Sequence, residues 1–498
     1  MDIFLSAVMT VLEPSSLLIL FLATVTGMML GAIPGLTVVM AIALAVPMTL
    51  WMDTVPAMML LIGLYGSGTY SGSISACLIN APGTPASAAT ALDGYPMAQQ
   101  GRPLKALRLA LWASIFGGLV SIVLLVLIAP QLAQVALKFG PAELASLLIF
   151  SLTLIGILSG GSMAKGLLAA ALGMLIATVG ADPMLSVPRF TFGYTELWDG
   201  FSFIPVLIGL FAIAELFEQG MKRFKGNDNA INLSHTDKEM NRITKEDVRK
   251  CTGPAIRSSL IGSFIGALPG LSASVAAFLS YAVTKRLSKT PEELGKGSAE
   301  GIVSSESANN AVTGSAMIPL LALAIPGDPP TAILLGALLV QGVTPGPMIF
   351  TSNPEIVYSI YIILFVALVF LGVVASFAIK PITHVLRVPT NILFPIILVM
   401  CVAGSYSIRS NIFDVYVMFG AGILGYMLRL FSVPIAPLLI AFILTKPFEE
   451  ALRQALITSD GGLMIFIEKP ISAIFLILAA LMVASVALRA KNPVGDTR

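Results

Sequence analysis

The hexapeptide Gly31-Ala32-Ile33-Pro34-Gly35-Leu36 returns as Gly266-Ala267-Leu268-Pro269-Gly270-Leu271, each copy inside a long apolar stretch. A second Pro-Gly break follows each: Asn80-Ala81-Pro82-Gly83-Thr84-Pro85, then Ile325-Pro326-Gly327-Asp328-Pro329. Proline removes a backbone donor and stops a helix, so each break frees main-chain groups that lipid cannot satisfy. Such breaks are tolerated at membrane depth where protein buries them or where they line a watery cavity. Two pairs in the same order is the pattern of a transporter built from internal repeats.

Composition supports membrane burial. Only 11% of the 498 residues are charged, 56% are hydrophobic, and the mean hydropathy is +0.92. A soluble domain carries about 25% charged residues. A transmembrane β-barrel would alternate in segments of about 10 residues, whereas runs such as 104–129 and 356–379 do not alternate. The chain therefore reads as an all-α polytopic membrane protein, with two internal repeats, broken or re-entrant helices, and about ten to twelve transmembrane segments. A net charge of +2 points to no nucleic acid. Cys77, Cys251 and Cys401 are scattered, and His235 and His384 lie among polar or charged neighbours, so no metal site or cofactor is expected. The start lacks a basic n-region, which argues against a cleaved signal peptide.

The expected organisation is a first membrane half over 1–217, an inter-half loop over 218–254, and a second half with C-terminal helices over 255–498. The loop is rich in Lys and Arg, which assigns it to the cytoplasm. Beyond it, basic residues flank both ends of 255–283, with Pro269-Gly270 in the middle. Each arm is about 20 Å long as helix, short of the roughly 30 Å hydrocarbon core. A re-entrant hairpin with Pro269-Gly270 at its tip meets both constraints; a single kinked span is the alternative. Whether the halves are parallel or inverted stays open.

Amides freed at a half-helix N-terminus carry partial positive charge and suit an anion. Asn80, Pro82, Gly83, Thr84 and Ser87 in the first half, with Asn309, Asn310 and Gly327 in the second, are therefore the candidate substrate-binding residues. The hydroxyl-rich run Tyr65–Ser75 suits either close helix packing or a cavity lining. Hard cations prefer oxygen ligands, which unwound carbonyls supply. Pro34, Gly35, Thr37, Pro269, Gly270, Ser272 and Ser274 are the candidates for a coupling ion, joined by the acids Glu306 and Asp328. An intramembrane carboxylate costs a few kcal/mol unless it pairs, binds an ion or takes up a proton. Both acids lying at the water boundary, and each break being only a structural kink, are the alternatives. Asp93, in Leu92-Asp93-Gly94-Tyr95-Pro96, reads as capping or turning a chain end.

Together these stretches resemble the TctA family, the large membrane subunit of tripartite tricarboxylate transporters. The resemblance runs over nearly the whole chain and is most specific in 31–49, 65–109, 266–285, 295–310, 318–327 and Pro345-Gly346-Pro347. It implies a bacterial inner-membrane permease that imports carboxylates by secondary transport, with Na+ or H+ as the coupling ion and alternating access around a midplane site. It also implies two partners, a small TctB-like membrane subunit and a periplasmic TctC-like solute-binding protein. The sequence has no Walker P-loop pattern for ATP. One departure stands out: the family resemblance implies small or apolar residues after the second-half Pro-Gly, where this chain has Asp328-Pro329-Pro330. An acid there disfavours a polyanion at short range, so either Asp328 binds the cation or the substrate is not a tricarboxylate. An intramembrane enzyme lacks a Ser–His pair or a GxGD motif. A passive anion channel and a permease for a non-carboxylate solute are the remaining readings.

Overall fold

The computed structural model describes residues 2–33, 35–158, 162–221, 240–385 and 390–491. Pro34 and the stretch 222–239 with His235 lie outside the described residues, so nothing is assigned to that expected ion ligand or to the middle of the expected loop.

Helices dominate. The first part comprises α1 (Asp2–Val11), α2 (Pro14–Ala32), α3 (Val38–Ala45) with a 3-10 turn over Val46–Trp51, α4 (Thr54–Ile79) and α5 (Ser87–Gln99). It continues with α6 (Pro103–Ala136), α7 (Pro141–Leu158), α8 (Met163–Ala177), α9 (Phe203–Ile208) and α10 (Ala214–Met221). The second part comprises α11 (Lys245–Gly266), α12 (Ala273–Leu287), α13 (Ala299–Ser315), α14 (Met317–Leu323), α15 (Pro329–Val340) and α16 (Ile349–Ser352). It ends with α17 (Pro354–Val385), α18 (Thr390–Arg409), α19 (Ile412–Leu430), α20 (Ile435–Thr458), α21 (Ile465–Glu468) and α22 (Pro470–Lys491). Among the described residues the one sheet is a short antiparallel ribbon, β1 (Gly180–Ala181) against β2 (Pro188–Arg189).

Among the described residues five helical stretches are long and apolar enough to cross a bilayer: α2, α6, α9 through α10, α17 and α19. The other elements expected as crossings are shorter or more polar. α4 is long, yet Gly, Ser and Thr dilute its apolar character, and α13 carries Glu306, Asn309 and Asn310. Both are buried along nearly their whole length, so protein rather than lipid surrounds them. α11 starts at Lys245, inside the stretch read as a loop, because Thr244 and Asp247 form a capping box there.

Glycines set the helix spacing. Gly27 and Gly31 of α2 lie against Ser67, Gly68 and Ser71 of α4, and Gly262 and Gly266 of α11 lie against Ala308, Val312 and Ser315 of α13. No side chain fits at these four glycines. Between membrane helices this close approach replaces the hydrophobic driving force that operates in water. The hydroxyls of Ser67, Thr69, Ser71, Ser73 and Ser75 all bond to main-chain carbonyls. That stretch of α4 is thus a packing surface, the plainer of its two readings.

α11 and α12 fold back on each other around Pro269-Gly270. Arg257 Nη2 of α11 lies 3.5 Å from Thr284 Oγ1 of α12, which a single kinked span would keep far apart. The hairpin opens toward the basic loops, where Lys105 pairs with Asp247 at 2.8 Å and Gln100 Nε2 donates to Lys296 O at 2.7 Å. This face carries the basic residues that the positive-inside rule expects on the cytoplasmic side. The other hairpin, α2 with α3 and the 3-10 turn, opens to the opposite face. There Gln341 Nε2 donates to Thr49 O at 2.5 Å, and Ser6 Oγ donates to Glu355 Oε1 at 2.7 Å.

Candidate functional site

Each second break repeats one local geometry. α4 ends in the left-handed residue Asn80 (φ 53°), two residues before Pro82; α14 ends in left-handed Ala324 (φ 56°), two residues before Pro326. Gly83 then lies directly on the carbonyl of Gly31, and Gly327 on the carbonyl of Gly266. The first and second breaks of each half therefore meet. In the second half they are also bonded, Gly270 N donating to Gly327 O at 2.9 Å. Gly35 (φ 91°) and Gly270 (φ 83°) turn the two hairpin tips in the conformation that favours glycine, Gly35 against Gln219 and Gly270 against Ile155.

The halves also meet across these breaks. Ala86 and Ala89 at the start of α5 pack on Ala273 and Ala277 at the start of α12, bringing two helix N-termini together. Thr84 and Ser87 form a reciprocal turn at the first of these, with Ser87 Oγ donating to Thr84 O at 2.8 Å. Ser272 is the N-cap of α12, yet its side chain makes no capping bond, and Ser274 follows in the first turn. Thr37 does cap α3, accepting from Met40 N at 3.2 Å.

α13 runs antiparallel to α5 and presents Glu306, Asn309, Asn310 and Thr313 at spacings of three, four and seven, one stripe of a helix. Glu306 is fully buried. Its carboxylate accepts from Thr90 Oγ1 of α5 at 2.5 Å, Ser114 Oγ of α6 at 3.2 Å and Asn310 Nδ2 at 3.2 Å. The register that sets Gly301 against Asp93 and Glu306 against Thr90 carries Asn309 to the level of Ser87. Asn309 is buried beside Glu306, and neither its oxygen nor its nitrogen makes a hydrogen bond of standard geometry. A buried amide without partners costs about 1–3 kcal/mol per group. This register places it near the start of α5.

Two other acids have filled coordination. Asp328 caps α15: Oδ1 accepts from Thr331 N at 2.9 Å and Thr331 Oγ1 at 2.8 Å, and Oδ2 accepts from Tyr65 Oη at 2.5 Å. It is buried, so it does not lie at the water boundary. Asp93 is buried inside α5 and caps a chain end in the other half. Its Oδ1 accepts from the backbone amides of Gly295, Gly297 and Ser298 at 2.8, 2.9 and 2.7 Å, and Oδ2 from Tyr281 Oη at 2.8 Å. It thereby holds the N-terminus of α13 at the face that carries the basic loops.

Of the expected substrate residues, Ser87, Asn309, Asn310 and Gly327 are buried, Thr84 is half-buried, and Asn80 and Pro82 are exposed at the break. Thr90, Ser114 and Tyr65 were not among the site residues read from the sequence. For Ser114 the available signal is the small-residue stripe Ser114, Gly117, Gly118 and Ser121, which lets α6 approach α13 so closely that Gly117 touches the carbonyl of Ser307. Cys77, Cys251 and Cys401 are buried free thiols.

Residues 17–440 match the tripartite tricarboxylate transporter TctA family. Two Agrobacterium vitis proteins are similar. One, described as an uncharacterized 52.8 kDa protein in the TAR-I ttuC' 3' region, is 40% identical over 467 residues, covering 93% of this chain and 91% of its own. The other, an uncharacterized protein in the TAR-II ttuC' 3' region, is 42% identical over 212 residues, covering 43% of this chain and 88% of its own. No solved structure matches. With apolar spanning helices along a match over most of its length, this multi-pass membrane chain belongs to the TctA family, the membrane subunits of tripartite tricarboxylate transporters.

Proposed function

We propose that this chain is the large permease subunit of a binding-protein-dependent secondary transporter of the bacterial inner membrane, importing carboxylates down a Na+ or proton gradient. A small TctB-like membrane subunit and a periplasmic TctC-like binding protein are its partners. The carboxylate binds where the N-termini of α5 and α12 meet, at Thr84, Ser87 and Ser272, with the Asn309 amide completing its hydrogen bonds. Glu306, one turn along α13, carries the coupling ion. The single observation that supports this reading most is the buried Asn309 amide, which makes no hydrogen bond of standard geometry and lies near the start of α5, where α5 and α12 pack N-terminus to N-terminus. The hairpins opening to opposite faces support an inverted repeat, in which rocking of one half against the other exposes the site to each side in turn.

The alternative of a passive channel is separated by uptake into vesicles holding the reconstituted complex. A permease accumulates a labelled tricarboxylate against its gradient only when a Na+ or proton gradient is imposed. Equilibration without accumulation under every gradient identifies a channel instead.

A further inference from the structure

Glu306 and Asp328 are buried acids near α13 that have no basic partner among the described residues. The titratable groups near Glu306 are Tyr70 and Cys77 of α4, and the one facing Asp328 is Tyr65. Asp328 lies toward the outer end of α13 and Glu306 about two turns inward. Between them a small cavity is lined by Gly66, Ser121, Asn310 and Thr313 and closed by apolar side chains of α17. It offers about 20 Å³ to the centre of a water molecule, room for at least one. Thr313 stands beside the Tyr65 hydroxyl, and its buried Oγ1 makes no other hydrogen bond. Thr313, Asn310 and Ser121 give this otherwise apolar lining the polar partners that an ordered water needs.

We infer that Asp328, Tyr65, a water held by Thr313 and Asn310, Ser114 and Glu306 form a proton path through the protein. The coupling ion at Glu306 is then a proton rather than a metal cation. This inference rests on the transport reading above and selects between its two ions. The chemistry of the donors favours a proton: Thr90, Ser114 and Asn310 direct N–H or O–H groups at Glu306, and Thr331 and Tyr65 direct theirs at Asp328. Those donors occupy the lone pairs that a hard cation would need. In the transfer Asp328 loses one proton and Glu306 gains one. The hydroxyls of Tyr65 and Ser114 and the water each release one proton and receive another, so no charge or electron is left over.

The test uses the complete transporter in vesicles, with labelled citrate as the probe and two readouts. One is net uptake driven by an imposed pH gradient in Na+-free buffer; the other is exchange of external for internal citrate, which needs no net proton movement. Tyr65→Phe and Thr313→Val should slow net uptake about tenfold or more, as loss of a proton carrier does, while exchange stays within about twofold of the parent. A parallel fall in both readouts, or unchanged net uptake, overturns the path by showing a structural role or none. Uptake by the parent that follows a Na+ gradient and ignores pH overturns the path but leaves the transport reading standing. Absence of gradient-driven citrate uptake in the parent removes both.

Discussion

The break at Asn80–Thr84 and the break at Ala324–Asp328 share a backbone and differ in what surrounds it. Both follow a left-handed residue and both seat a glycine on the carbonyl of the paired hairpin tip. Yet Asn80 and Pro82 are exposed, whereas Ile325, Pro326, Gly327 and Asp328 are buried. The second break is stitched to its hairpin by the Gly270–Gly327 bond and to α4 by Tyr65, while Gly83 N is bonded only within its own half, to Gly72 O at 3.1 Å. One sequence device thus gives an open and a closed version of the same structure in a single molecule. The first-half break is the more exposed of the two and the second-half break is buried.

The largest effects should come from filling the shared contact. Gly83→Leu and Gly327→Leu each push a side chain into a backbone carbonyl, where overpacking costs about 3 kcal/mol or more. Both should lower the thermal midpoint sharply, and the buried Gly327 break should suffer more; equal or negligible shifts would mean that the two contacts are not what holds the breaks. Next comes Asp93→Ala, which leaves three backbone amides of the 295–298 loop without an acceptor and should cost on the order of 3 kcal/mol. Asp93→Asn, which keeps an acceptor, should recover part of it in the same melting experiment. Asn309→Ala should weaken citrate binding about tenfold, roughly 1.4 kcal/mol, with Asn80→Ala weaker in effect, and calorimetry on the purified complex measures both. An unchanged affinity in Asn309→Ala would remove that amide from the site.

The smallest effect lies away from both breaks, in the loop that carries β1 and β2. Backbone amides of Leu185 and Met184, followed by Arg453, hold the Asp182 carboxyl below its ordinary range. A depressed folded value means that its stabilisation is fully present above the unfolded value near 3.9 and is lost as pH falls through the folded one. Asp182→Asn should therefore flatten a modest fall in melting temperature on acidification below about pH 4. A melting curve whose pH dependence is the same with and without Asp182 would contradict the sign.

Much of this was legible in the residues. Pro and Gly punctuate helices wherever they stand, so the four breaks, the α11–α12 hairpin and the candidate amides could be read directly. Glu306 was visible because a carboxylate inside an apolar stretch demands a partner. The partners themselves were not visible: Thr90 and Ser114 lie 216 and 192 residues from Glu306, and Tyr65 lies 263 from Asp328, so no local rule links them. Asp93 shows the same limit. The Gly-Tyr-Pro signals around it suggested a turn, yet Asp93 lies inside α5, and the helix it caps belongs to the other half. The polarity of the hairpins, one opening to each face, depends on pairings such as Gln341 with Thr49 that sequence spacing cannot supply.

The most direct measurement is a cryo-electron-microscopy map of the complex with bound citrate. Density between the N-termini of α5 and α12, within hydrogen-bond reach of the Asn309 amide and of Ser87 or Ser272, is the predicted result. Citrate density on an outer surface, away from Asn309, would contradict a shared site between the halves.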